Sequence, residues 1–94
     1  MAKVEGTFTS TGSSNVLHVD KEYEIAINGL GSNVVKPKWS YDKGVTYYYG
    51  KAFPEDDVYR GESARPGAQL IIECTSYSSG TVSYCAGQGP TKND

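Results

Sequence analysis

The chain has 94 residues, with nine cationic and eleven anionic side chains and a net charge of −2. This length fits one domain, the balanced charge without a Lys/Arg cluster argues against a nucleic-acid-binding module, and no apolar run reaches the roughly 18 residues of a membrane span. Residues 1–5 lack the apolar segment of a secretory signal, so we expect assembly in the cytoplasm.

Strand-type periodicity runs through most of the chain. Residues 22–28 alternate polar and apolar side chains, which predicts a strand with one face on the core and one in water. Runs rich in β-branched and aromatic residues predict further strands at 4–9, 15–19, 34–41, 46–53, 69–77 and 81–88, with a short strand opening at 58 and 59. About seven short strands separated by turn clusters predict an all-β fold, either a small antiparallel β-sandwich (Ig-like) or a short barrel.

The domain organisation follows from where the apolar residues stop. We expect residues 1–88 to form a single β domain and residues 89–94, which lack apolar anchors, to be a flexible C-terminal tail. Eight tyrosines against two phenylalanines predict a core assisted by tyrosine rings. Pro37, between two lysines, places its strand at a sheet edge, where a missing N–H costs little.

Two cysteines flank a predicted turn. A two-residue turn at Ser79–Gly80 would place Cys74 directly opposite Cys85, on one face with Leu70 and Ile72. Opposed strand positions are close enough for a disulfide, but a chain without a secretory signal favours free thiols. With one distant histidine and no C-x-x-C, we expect no metal site and no cofactor.

The titratable residues suggest no active site. His18, followed by Asp20, could act as a general base, but a histidine between apolar neighbours reads as the outward residue of a strand. Residues 55–57 are adjacent acids, which could hydrolyse glycosides only if held at set separations, and otherwise form a solvated, cation-attracting turn. No nucleophile-elbow motif occurs, so we expect the protein not to be an enzyme.

The densest aromatic feature is the run Tyr47, Tyr48 and Tyr49, with Trp39 nearby. On a strand, Tyr47 and Tyr49 share one face and Tyr48 takes the other. One interpretation is that these rings fill the core. The other is that they are exposed as an interface for a protein or a sugar, because Tyr and Trp are enriched at such surfaces.

Residues 40–47 have the form S-x-D-x-G-x-T-[WY], the Asp-box pattern. In this pattern, which begins at Ser40, Asp42 accepts hydrogen bonds from turn amides, Gly44 takes a positive φ, and Thr46 and Tyr47 start the return strand. In sialidase-like propellers the motif recurs in several blades. Here it occurs once, which excludes a propeller and makes it a structural turn.

Three segments together resemble a protein family: residues 5–12, the hairpin at 39–47, and residues 61–84 with the closing C-x-x-Y-x-S-G-x-V-x-Y pattern. They look like the small β-rich virion proteins of tailed bacteriophages. This chain departs from the pattern with Lys43 in place of a second glycine, Tyr47 in place of tryptophan, and Cys85 late in the last strand.

The resemblance implies a non-enzymatic structural protein of a virion, of the head-decoration or head–tail accessory type, assembled in the host cytoplasm. The expected partners are copies of the chain itself, as a symmetric oligomer with a trimer favoured, and capsid or tail proteins. The competing interpretation is a carbohydrate-binding module for host-surface glycans, which would need two or three coplanar exposed rings on one sheet face.

Overall fold

The computed structural model describes residues 3–63 and 67–88, and within these ranges the chain forms strands and turns without a helix. The strands are β1 (Lys3–Phe8), β2 (Gly12–Ser13), β3 (Leu17–Val19), β4 (Glu22–Asn28), β5 (Val34–Ser40), β6 (Tyr48–Tyr49), β7 (Asp57–Glu62), β8 (Ala68–Ser76) and β9 (Val82–Gln88). The predicted strand at 46–53 shrinks to β6, and β2 lies between the strands predicted at 4–9 and 15–19. The described part of the chain includes no helix that could cross a membrane.

The strands form two antiparallel sheets. The first sheet has the order β1-β9-β4-β7, and the second has the order β2-β8-β5-β6, with β3 also paired to β8. Two separate hydrogen-bonded sheets make the fold a small β-sandwich, the first of the two predicted architectures. The described residues hold nine strands instead of about seven. Strand β2 is a two-residue ladder in a segment where no strand was predicted, and β7 extends the short strand predicted to open at 58 and 59.

The core lies between the sheets. Alternate residues of each long strand point inward, so that Ile25 and Ile27 of β4 meet Leu70 and Ile72 of β8 within one hydrophobic cluster. Tyrosine rings complete this core, as the composition predicted. Tyr84, for example, stacks on Phe8 with ring centroids 4.7 Å apart.

The predicted hairpin between the two cysteines is wrong. Strand β8 lies in the second sheet and β9 in the first, so the Ser79–Gly80 turn crosses between sheets. Cys74 is buried opposite Val35, while Cys85 is half-buried opposite Ala26. Both thiols are free. The crossing lets the apolar faces of two consecutive strands meet across the core, which side-by-side pairing would not do.

The prediction that the strand of Pro37 lies at a sheet edge is also wrong, because another strand pairs on each side of it. Strand β5 pairs with β8 on one side and with β6 on the other. The Pro37 carbonyl accepts the Gly50 amide at 2.8 Å, so its nitrogen also faces that side, away from β8. Because β6 has only two residues, the missing N–H falls where the sheet is incomplete and no ladder bond to β8 is lost.

The described residues extend over one sandwich, in keeping with a single β domain. The predicted tail at 89–94 lies outside the described residues, as do residues 1–2 and 64–66.

Candidate functional site

The Asp-box segment forms the hairpin between β5 and β6, and its turn is closed by side chains. The Ser40 hydroxyl donates to Asp42 Oδ1 at 2.8 Å and accepts the Gly44 amide at 2.7 Å. The same carboxylate oxygen accepts the Thr46 amide at 2.8 Å. All four turn residues predicted from the motif are therefore engaged, although the return strand begins at Tyr48 and not at Thr46.

Two consecutive residues at the tip have positive φ. Gly44 has a φ of 89°, as the motif predicted, and Lys43 has a φ of 61°. A lysine in this left-handed region carries a steric cost on the order of 1 kcal/mol that glycine would not. Hydrogen bonds from the Thr46 amide and then from the Ser40 hydroxyl lower the pKa of Asp42, so the carboxylate holding the turn is ionised at neutral pH.

The hairpin carries most of the exposed large hydrophobic side chains of the described residues. Of their six exposed large hydrophobic side chains, four belong to residues 41–49: Val45 is 82% exposed, Tyr48 58%, Tyr49 54% and Tyr41 36%. We call residues 41–49 the tyrosine hairpin. An apolar group concentrated on one closed turn is typical of a contact surface and not of scattered surface hydrophobics.

A charged cluster fixes the base of this hairpin to the outer face of the second sheet. Lys38 Nζ lies 2.9 Å from Glu73 Oε1, and the Tyr49 hydroxyl donates to the same oxygen at 2.7 Å. Lys38 Nζ also lies 4.8 Å from the centroid of the Tyr47 ring. This ring and the lysine lie on the same outer face as Ile71, which is only 7% exposed there.

The electrostatics of this cluster favour both ionised forms. The hydrogen bond from Tyr49, followed by the one from Lys38, lowers the pKa of Glu73. The hydrogen bond to Glu73 raises the pKa of Lys38, against a smaller opposite effect of burial. The cluster is therefore a salt-bridged brace for the return strand of the hairpin, with two tyrosines as its flanks.

The four aromatic residues predicted as an interface separate into two groups. Trp39 points into the sandwich and packs on Tyr23, with ring centroids 4.8 Å apart. Tyr47 is half-buried, whereas Tyr48 and Tyr49 are exposed on opposite sides of β6. One of these rings therefore packs against the core, and two lie on the surface.

Sequence reasoning missed two members of this surface. Tyr41 lies against Tyr48 with ring centroids 6.2 Å apart and planes tilted by 38°, and Val45 occupies the turn. An apolar residue inside a turn motif was the available signal for Val45, since turns ordinarily favour polar residues and glycine. The tilt between Tyr41 and Tyr48 means that they do not form the coplanar platform expected for a sugar.

The remaining candidates have structural positions. His18 is exposed on β3 between two buried residues, as a strand histidine should be. Asp56 accepts the amides of Gly29 and Leu30 at 3.0 and 2.8 Å, which lowers its pKa, so it closes a loop. Among residues 3–63 and 67–88, no three His, Cys, Asp or Glu side chains are grouped so that they could hold a metal ion.

Comparisons of the chain with protein-family models, with curated proteins and with solved structures find no significant match. The resemblance to phage virion proteins therefore rests on the three sequence segments described above.

Proposed function

We propose that this protein is a non-enzymatic structural component of a tailed-phage virion, which assembles through the tyrosine hairpin. The observation that carries the proposal is the exposed apolar group of Tyr41, Val45, Tyr48 and Tyr49 on a closed turn. Tyrosine supplies large contact area at a low cost in side-chain entropy, and it is enriched at protein interfaces.

The rigidity of the hairpin supports an interface role. The Ser40–Asp42–Thr46 network fixes the turn, and the Glu73 brace fixes the return strand. A surface already held in one conformation loses little entropy on binding, which raises its affinity for a partner. A small domain of this size also gains stability when apolar surface is covered by another subunit.

The proposal is tested by quantitative mass spectrometry of purified particles from the phage that encodes the chain. Tens to hundreds of copies per particle are expected, and their number separates capsid decoration from a tail position. Absence from the particle would remove the virion role.

A variant series tests the surface itself. Tyr48→Ala should reduce incorporation or oligomerisation by roughly 30-fold in affinity, the size of a hot-spot truncation, while the monomer stays folded. Val16→Ala is the matched control, because Val16 is also an exposed apolar residue but lies outside the hairpin. Unchanged assembly of Tyr48→Ala would contradict the proposal. Binding of host polysaccharide by the wild type, lost in Tyr48→Ala, would instead support the carbohydrate-binding interpretation.

A further inference from the structure

A groove of about 680 Å³ crosses the outer face of the first sheet. Its floor consists of small half-buried side chains on the two central strands, Ala26 on β4 with Ser83 and Cys85 on β9. Cys85 is paired directly with Ala26, and the same row ends at Glu5 on β1 and Val58 on β7. Larger side chains on the edge strands flank smaller ones in the centre, and this makes the face concave.

The charged residues that line this groove are all acidic. Glu5, Asp56 and Asp57 line it, and no Lys or Arg is among its lining residues. The Asp56 carboxylate already accepts hydrogen bonds from two backbone amides. The Glu5 carboxylate lies 3.6 Å from the Lys3 amine, in an exposed ion pair that contributes little. Asp57 remains exposed and accepts one local amide. An occupant of this acidic groove should therefore combine an apolar surface with a positive charge.

The tyrosine hairpin has those properties. Val45 is the most exposed large apolar residue of the described chain, and Lys43 is exposed beside it at the tip. The one carboxylate of the hairpin, Asp42, is exposed but accepts hydrogen bonds from Ser40 and Thr46 within the turn. Lys43 keeps a strained φ of 61° at a position where glycine would relieve the strain, which indicates a use for its side chain.

We infer that the tyrosine hairpin of one copy inserts into the acidic groove of a second copy, with Lys43 beside Asp57 and Val45 over Ala26 and Cys85. The groove lies on the outer face of the first sheet and the hairpin belongs to the second, so a hairpin cannot reach the groove of its own chain. The contact is head-to-tail, and contacts of this kind form rings where the rotation between copies closes and filaments where it does not. This inference rests on the proposed function, for which it names the partner surface.

Sedimentation velocity of the full chain over a range of concentrations tests the contact. Ala26→Trp fills the groove from its solvent side and should weaken association by at least about 30-fold. Glu62→Trp is the matched control. Glu62 is an exposed residue of the same sheet that does not line the groove, so this variant should associate like the wild type. Lys43→Gly should weaken association while making the fold more stable, which separates the interface from folding.

Charge reversal and mixing give the sharpest outcome. Lys43→Glu and Asp57→Lys should each associate poorly alone, and an equimolar mixture should recover association because opposite charges face each other again. Val45→Glu mixed with Ala26→Trp should give a one-to-one heterodimer that does not grow, since one copy keeps its groove and the other its hairpin. A mixture that stays monomeric would overturn the head-to-tail contact.

Cys85 reports occupancy of the groove directly. Its pKa is raised, first by burial and then by the charge of Glu5, so alkylation by iodoacetamide should be followed at alkaline pH. Alkylation of Cys85 should slow at concentrations where the wild type associates, and should not slow in Val45→Glu. Equal alkylation rates in monomer and oligomer would overturn the inference, as would a wild type that stays monomeric.

If Tyr48→Ala abolishes assembly and Ala26→Trp does not, the groove inference fails while the proposed function stands.

Discussion

Asn33 holds the peptide groups around Ser79 through both ends of its amide. Its Nδ2 donates to the Ser79 carbonyl at 2.9 Å, and its Oδ1 lies 3.3 Å from the Ser79 amide and 2.6 Å from the amide of Ser78. The two residues are 46 positions apart, one at the end of the β4–β5 connection and the other in the β8–β9 connection. A single buried side chain thus joins two connections that both cross between the sheets.

Asn33→Ala should lower the free energy of unfolding by about 1–3 kcal/mol, because the amides of Ser78 and Ser79 lose a buried acceptor. Asn33→Asp is the comparison: it keeps an acceptor for both amides, but it loses the donor to Ser79 and brings a negative charge beside that carbonyl. Urea denaturation should rank the wild type above Asn33→Asp and Asn33→Asp above Asn33→Ala. Equal midpoints for all three proteins would show that the contact does not hold the crossover.

The close approach of these two connections also predicts how a glycine-to-alanine substitution in the β4–β5 connection affects stability. Gly29 has a φ of 77°, and an added Cβ would lie 2.3 Å from the Thr81 carbonyl oxygen, whereas Gly31 has a φ of 57° and open space around it. Gly31→Ala should cost about 1 kcal/mol from backbone strain, and Gly29→Ala should cost clearly more because the backbone must also move. Thermal unfolding of the two variants compares strain alone with strain plus clash, and similar melting temperatures would contradict the close approach.

Ser40→Ala should destabilise the tyrosine hairpin. Ser40 is fully buried, and the substitution removes the acceptor of the Gly44 amide and the donor to Asp42. We expect a loss of about 1–3 kcal/mol in the free energy of unfolding, with faster hydrogen exchange at the Gly44 and Thr46 amides. Ser83→Ala, at a half-buried outer-face position of the other sheet, is the control. Unchanged exchange at Gly44 would show that the hydroxyl does not close the turn.

Lys43→Gly should raise the free energy of unfolding by roughly 0.5–1 kcal/mol, because glycine adopts the φ of 61° found at this position without steric cost. Lys51→Gly, at an exposed position after the hairpin, is the comparison for loss of a lysine alone. Unfolding in guanidinium chloride measures the free energy of unfolding of both variants. A Lys43→Gly variant less stable than Lys51→Gly would argue against strain at the tip.

The Glu73 brace predicts a dependence of stability on pH. The pKa of Glu73 is lower in the folded protein than its ordinary value of 4.5, chiefly through the Tyr49 hydrogen bond. Its contribution to stability is therefore complete above that ordinary value and is lost as the pH falls through the folded pKa.

Glu73→Gln should lower stability near pH 7, and the difference from the wild type should narrow on acidification toward about pH 3. Melting curves across this range measure the change. Glu22→Gln, at a half-buried glutamate of the other sheet, is the control and should follow the wild type. A difference between Glu73→Gln and the wild type that stays constant over the whole range would contradict the ionic brace.

Features that depend on neighbouring residues were predictable from the sequence. The alternation at 22–28 predicted β4 with its observed bounds, and the Asp-box pattern predicted the hydrogen bonds of Asp42 and the positive φ of Gly44. Both features arise from short-range geometry, namely the two-residue period of a strand and the reach of a short side chain within a turn.

Features that depend on which strands become neighbours were not predictable in the same way. A local turn at Ser79–Gly80 fits a hairpin, yet β8 pairs with β5 and β9 pairs with β4. The signals that redirect the chain are distant, such as Asn33 beneath the turn. The groove likewise exists only because Ala26 and Cys85, far apart in sequence, become a single row.

The all-β class, most strand positions, the structural turn and the tyrosine-rich segment could be predicted from the sequence. The exposure of each tyrosine, the placement of the two cysteines on different sheets and the concave acidic face depend on how the strands assemble. This is because burial is a property of the assembled sheets. The alternation of residues along a strand fixes which side chains share a face. The neighbouring strands and the opposite sheet then determine whether that face meets the core, solvent or another chain.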